Sequence, residues 1–160
     1  AAPILVKNKL PFSVFVTTDF VRNKRPGFLS PASLRELAKL PGATIGAHGA
    51  SHVALTDCDD KALAAELAGS RSYLEDLLGV AVETMAYPYG AANRRVRDAA
   101  ENAGYRLAAC SFSNTNDDAR DRMLLGRTEV LAGDSARVFR QKLHGDWDWY
   151  RWRTQDPARP

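Results

Sequence analysis

Apolar and polar positions switch between two periods along the chain, and the switches mark its elements. Ala2 to Lys9 reads as the end of a helix that Pro11 breaks. Phe12 to Thr18 (FSVFVTT) is a run of aromatic and β-branched residues, the pattern of a buried strand. Asp19 to Gly27 is polar and reads as a loop. Ser30 with Pro31 opens a helix whose apolar face is Leu34, Leu37, Ala38 and Leu40, and Pro41-Gly42 ends it. Thr44 to Ala47 is a second short strand. Asp59 to Leu78 is the strongest helical segment, with Leu63, Leu67, Leu74, Leu77 and Leu78 at helical spacing and Gly79 as its stop. Glu83 to Tyr87 predicts a third strand, Asn93 caps a helix to about Ala103, and Tyr105 to Phe112 predicts a fourth strand. After a polar loop from Ser113 to Arg122, Leu124 to Leu131 reads as a fifth strand and Asp134 as the cap of a last helix.

Strands and helices in this rhythm predict parallel β/α units in an α/β fold. The strands are too few for a closed eight-fold barrel, so the expectation is an open sheet or a barrel lacking a piece. No repeat or linker divides the chain, which reads as one domain over 1–160 with 154–160 a disordered tail.

In such folds functional side chains gather at the carboxyl ends of the strands. Those ends carry Thr17, Thr18 and Asp19; then His48, Gly49, Ala50, Ser51 and His52; then Tyr87, Pro88, Tyr89 and Gly90; then Ser111, Ser113 and Asn114. Of the chain's 3 histidines, two fall in one window on that rim. If the chain makes one helical turn there, imidazoles four residues apart face the same way and share a metal, Gly46 and Gly49 letting the backbone bend. Zinc takes histidine nitrogens at ~2.0–2.1 Å and an anionic ligand, with one position open for hydrolysis. The other reading is a histidine pair that only hydrogen-bonds within a loop.

Composition narrows the function classes. The net charge is +3 with Lys and Arg spread along the chain, so no basic stripe or motif marks a nucleic-acid binder. No apolar run is long enough to span a membrane. Ala1 to Leu10 lacks the basic head, apolar core and cleavage site of a signal peptide. Cys58 and Cys110 lack metal-type spacing; they read as two thiols, with a disulfide as the alternative. All 3 tryptophans, Trp147, Trp149 and Trp152, lie close together near the end and suit either sugar stacking or a packed helix face.

The segment Ile45-Gly46-Ala47-His48-Gly49-Ala50-Ser51-His52, followed by Leu55-Thr56, resembles the zinc motif of the polysaccharide deacetylase family. Ala86-Tyr87-Pro88-Tyr89-Gly90 resembles that family's Pro-Tyr-Gly motif, and the Phe12–Thr18 strand its strand between the Asp and His motifs. Order and spacing agree from about Ala2 to about Val130. The resemblance implies a partial or distorted (β/α) barrel of the polysaccharide deacetylase type, missing its first strand. It implies a zinc-dependent hydrolase, with Zn2+ or another divalent transition metal on His48 and His52. It also implies an oxyanion donor in the Tyr89 backbone N–H, groove walls at Tyr87, Pro88 and Gly90, an N-acetylated polysaccharide as substrate, and a place at the cell envelope.

The same resemblance shows what departs from the pattern. The family's Asp-Asp pair, holding the general base and the third zinc ligand, would precede Ala1, so the chain is expected to be a fragment or a variant without that strand. Asp59-Asp60 follow His52 and open a helix. Asp19 is the candidate substitute ligand, against a role in the loop. An Arg beside the Pro-Tyr-Gly motif is absent, Ala86 and Tyr87 standing there. His144 is the candidate for the family's acid, against a surface helix end. A non-catalytic carbohydrate-binding protein on the same scaffold is the alternative function, and a structural α/β module a third. A missing strand would leave an open edge through which two copies could pair.

Overall fold

The computed structural model describes residues 1–113 and 115–148. Its centre is a parallel sheet of four strands in the order β1 (Phe12–Val16), β2 (Ala43–Ala47), β3 (Thr84–Ala86) and β4 (Leu107–Ala109). The β1–β2 ladder runs from Phe12↔Ala43 to Val16↔Ala47; β3 joins through Ala47↔Met85, and β4 from Thr84↔Leu107 to Ala86↔Ala109. α1 (Ala2–Lys7) precedes β1; α2 (Thr18–Arg22), α3 (Pro31–Ala38), α4 (Asp60–Ala64), α5 (Ser70–Leu78) and α6 (Arg94–Asn102) connect the strands, and α7 (Ala136–Leu143) follows β4. The mixed α/β class and the sheet of a partial (β/α) barrel agree with the pattern of the sequence.

Local chemistry accounts for the helix limits. The side chains of Ser30, Asp59 and Asn93 accept the N–H of Ser33, Ala62 and Val96, closing the first turns of α3, α4 and α6. Gly79 ends α5 in the left-handed conformation at φ +70°. Between α4 and α5 the helix widens into a π turn over Ala65–Gly69, so the single expected helix runs through with one loosened turn. Alternate strand residues face the helices, and Val16, Ile45, Ala47 and Met85 join Leu34, Leu63, Leu67, Leu74, Tyr105 and Val96 in one apolar core. Among the described residues no helix is long and apolar enough to cross a membrane.

Four expectations change. Thr18 and Asp19 belong to α2, because the chain turns directly from β1 into a helix capped at Thr17. Leu124–Leu131 forms no strand: Leu125 makes a single bridge to Ala109, while Val130 and Leu131 stand 53% and 55% exposed with nothing to bury them. Ser135, not Asp134, caps α7, since its hydroxyl accepts the Val138 N–H while Asp134 is drawn to Lys142 at 2.7 Å. Gly46 does not bend the chain; a Cβ there would meet the Phe15 ring and Thr84 Oγ1 at 2.7 Å, so its value is close packing within β2. The tail at 154–160 lies outside the described residues.

One charged cluster joins α6 to the segment that follows β4. Arg97 donates to Asp121 at 2.9 Å and also reaches Asp98 and Glu101. Burial alone would raise the Asp121 carboxyl, but the Arg97 hydrogen bond, the Met123 N–H and the charges of Arg97 and Arg120 outweigh it and hold it below its ordinary 3.8. A lowered folded pKa stabilises above the unfolded value and is lost as pH falls through the folded one. Asp121→Asn is therefore expected to lower the melting temperature at neutral pH. Its gap from the unmodified chain should close below about pH 4, as checked by thermal melts across pH.

Candidate functional site

The rim at the carboxyl ends of β1 and β2 is tied to α2 by main-chain bonds. The His48 N–H donates to Val16 O at 2.8 Å, continuing the β1–β2 pairing. The N–H groups of Thr18 and Asp19 then donate to the carbonyls of Gly49 (3.2 Å) and Ala50 (2.9 Å). Gly49 turns the chain at φ +71°, a region that costs any L side chain. His52 itself sits at φ +67°. These two left-handed residues, and not the helical turn expected from the spacing, bring the imidazoles together. Their centroids are 4.9 Å apart and their planes meet at 63°.

His48 has a defined tautomer. Its Nδ1 lies 2.7 Å from the Ala86 carbonyl, which can only accept, so Nδ1 carries the proton and Nε2 keeps its lone pair. Burial lowers the His48 pKa from 6.5; the Ala86 bond opposes this, and the charges of His52 and Arg127 add to the lowering. His48 is thus held neutral, the form that coordinates metals. A ring nitrogen free to coordinate, with the other nitrogen tied to a carbonyl, is the arrangement of a histidine ligand.

Behind the loop stands a residue that the sequence did not single out. Glu66, from the π turn, is only 9% exposed. Its carboxylate accepts the N–H of Ala50 at 2.7 Å, the N–H of Ser51 at 3.1 and 3.2 Å, and the Ser51 hydroxyl at 2.5 Å. Its helical spacing from Leu63 and Leu67 was the available signal: it places a carboxylate on a face otherwise apolar.

The Pro-Tyr-Gly segment divides its roles differently from the expectation. Tyr87 does not wall a groove: its ring is fully buried and its hydroxyl donates to Met123 O at 2.9 Å. Burial, the largest influence, raises its pKa well above 10.0. Pro88 is buried as well. Tyr89 is 68% exposed at φ +59°, and its ring meets that of His52 at a centroid distance of 4.8 Å. Gly90, at φ +68°, lies against Ser111, where a Cβ would collide with the Ser111 backbone nitrogen. Side-chain contact with the site therefore comes from Tyr89, and Gly90 shapes the turn from below.

Two cavities flank His52. One of about 420 Å³ is lined by Phe15, Thr17, Phe20 and Phe28 with both histidines. The other, of about 600 Å³, is lined by Ser51, Ala54, Asp57, Cys58 and Tyr89. Asp19 is not brought to the pair: its carboxylate faces Arg22 at 3.4 Å, while its backbone holds the Ala50 carbonyl. Among the described residues no group of three His, Cys, Asp or Glu side chains is arranged for a metal. His144 is exposed at the end of α7 and makes no ring contact with the pair. Trp147 is half-buried, with Lys142 Nζ 5.4 Å from its ring; Trp149, Trp152 and Asn114 lie outside the described residues. No disulfide joins Cys58 and Cys110, and Cys110 is buried.

A sequence profile of the family described as polysaccharide deacetylase matches residues 1–108. No curated protein matches the chain. Among solved structures, the Streptococcus pyogenes deacetylase PplD in complex with acetate is similar with a TM-score of 0.81 and 22% identity, over 88% of this chain and 62% of that one. IcaB from Ammonifex degensii is similar with a TM-score of 0.70 and 23% identity, over 93% of this chain and 65% of that one. A CE4 family pseudoenzyme from Bacillus anthracis gives 0.59 and 15%, over 67% of this chain and 36% of that one. At these identities the structural likeness speaks for the fold, and the chain spans less than two thirds of the length of each of these three.

Proposed function

Because the chain belongs to the polysaccharide deacetylase family, we propose that its His48–His52 rim serves the hydrolytic removal of acetyl groups from a polysaccharide, an N-acetylated sugar polymer. The observation that carries this reading is the pair of facing imidazoles with a fixed tautomer at His48. In the reaction, water oxygen bonds to the acetyl carbon, the carbon–nitrogen bond breaks, and acetate and a free amine leave.

The residues present fit two positions of a divalent metal centre. His48 Nε2 and a ring nitrogen of His52 would hold Zn2+ or another divalent transition metal; a third, anionic ligand is not among the described residues. When bound, such an ion supplies Lewis acidity toward an acyl oxygen and acidifies water. The chain's own residues do the rest. The Ala86 carbonyl keeps the His48 proton on Nδ1 and its ring fixed. The ring of Tyr89, edge-on to His52, lines the larger of the two cavities. The Tyr89 backbone N–H, on a turn closed by the Gly90 and Ala91 N–H bonds to the Tyr87 and Pro88 carbonyls, is the proposed donor to the charge that develops on the acetyl oxygen.

The test is calorimetric titration of the chain with zinc beside His48→Ala, followed by acetate release from an N-acetylated chito-oligosaccharide. Binding at one site that disappears in His48→Ala, with acetate release that disappears with it, is the expected result. Zinc binding unchanged in His48→Ala overturns the metal site. Glycan binding without metal and without acetate release favours a non-catalytic carbohydrate-binding protein, a reading motivated by the incomplete ligand set.

A further inference from the structure

We propose that Glu66 is a positioning residue for this site: its buried carboxylate sets the turn between His48 and His52 and so the way the two imidazoles face. The inference rests on the reading of that pair as a metal centre.

Among the described residues, the donors that reach the Glu66 carboxylate come from Ala50 and Ser51, in the segment separating the histidines. Two consecutive backbone N–H groups converge on Oε2, at 2.7 Å from Ala50 and 3.1 Å from Ser51, while the Ser51 hydroxyl takes Oε1. Successive amides converge on one anion only when the backbone there is curled, and the left-handed Gly49 supplies the curl. A Cβ at Gly49 would stand 2.9 Å from Oε2, so the carboxylate is packed against the residue that makes the turn. Carboxylate and turn therefore specify each other.

The anchor is stiff. Glu66 is flanked on its helix by Leu63 and Leu67, exposed by 2% and 1%, which fix the helix against the core. Arg95 of α6 donates to the Cys58 carbonyl at 2.7 Å and pairs with Asp60 at 2.9 Å, tying the start of α4 to the loop that follows His52. A carboxylate this buried is stable only with its donors in place. Directly after Ser51 the chain reaches His52 in its left-handed conformation. That backbone choice, less favourable for a residue with a Cβ, persists where surrounding bonds determine it.

The test compares the whole chain with Glu66→Gln and Glu66→Asp. Gln keeps the size but turns an NH2 toward the donors, and Asp keeps the charge but loses reach. Zinc affinity and amide hydrogen exchange at Ala50 and Ser51 are measured, with the urea midpoint as the control for folding. Both variants are expected to bind zinc about 10–100-fold more weakly. The Ala50 and Ser51 amides should exchange faster, while those of β3 and α6 keep their protection. Unmodified zinc affinity together with unmodified exchange in Glu66→Gln overturns the proposal. If the unmodified chain takes up no zinc, the metal reading falls, and exchange at Ala50 and Ser51 alone decides for or against Glu66. If Glu66→Gln does not fold, Ser51→Ala, which removes a single donor, is expected to speed the same amides; no change there overturns the proposal.

Discussion

Tyr87→Ala is expected to lower the unfolding free energy by about 3–5 kcal/mol, read as a shift of the urea midpoint at unchanged slope. The ring has no exposure and belongs to the same apolar core as Met85, Val96 and Cys110. Truncation removes the transfer energy of an aromatic ring and leaves a void that the packed surroundings can close only by distortion. Tyr87→Phe separates packing from polarity. It keeps the ring and strands the Met123 carbonyl without its donor, at a cost of about 1–3 kcal/mol. Zinc affinity in Tyr87→Phe should equal that of the unmodified chain, because the hydroxyl points into the core; a loss there would mean that the hydroxyl bears on the rim after all.

Gly90→Ala is expected to destabilise by about 2–5 kcal/mol, the sum of a left-handed L residue and an overpacked contact. The added methyl would meet the backbone nitrogen and side chain of Ser111. Backbone cannot swing aside as a side chain can, so the turn from Pro88 to Gly90 has to move away from β4. Tyr89 moves with it, and the edge contact between its ring and His52 opens. The variant should thus lose stability and accessible site geometry together. Thermal melts give the first; the histidine ring chemical shifts, perturbed by loss of the tyrosine ring current, give the second. Wild-type stability would show that the turn has room the structure does not reveal.

Much of the architecture was legible because the physical signal was local. The caps at Ser30 and Asn93, the stop at Gly79 and the β-branched runs need only near neighbours to be read. The histidine pair was legible for the same reason, as two metal-capable side chains at a strand end. What was not legible depends on distant partners. Leu124 to Leu131 has strand-like composition, but a strand requires a neighbour along its whole length, and β4 offers one only near Leu125. The facing of Tyr87 inward and Tyr89 outward follows from the left-handed turn at Tyr89, a conformation that aromatic residues seldom adopt. For Glu66 the local pattern shows only a carboxylate at helical spacing from Leu63 and Leu67; its three donors lie sixteen and fifteen residues upstream, beyond any local signal. Asp19 failed as a ligand for the converse reason: a helix began where a loop was expected, and its carboxylate turned to Arg22, one turn along.

The sequential order of the sheet, β1 to β4, also bears on how the molecule comes into being. Every strand lies beside the one made before it, so each new β/α unit finds its template already waiting during synthesis. Loop-closure entropy grows only slowly with the length of each crossover. The His48 loop leans on β1 and α2 in front and on Glu66 behind, which are separate instalments of the nascent chain. Its strand can dock early, but the turn is fixed only once the helix bearing Glu66 has emerged, so the site matures later than the ladder on which it stands.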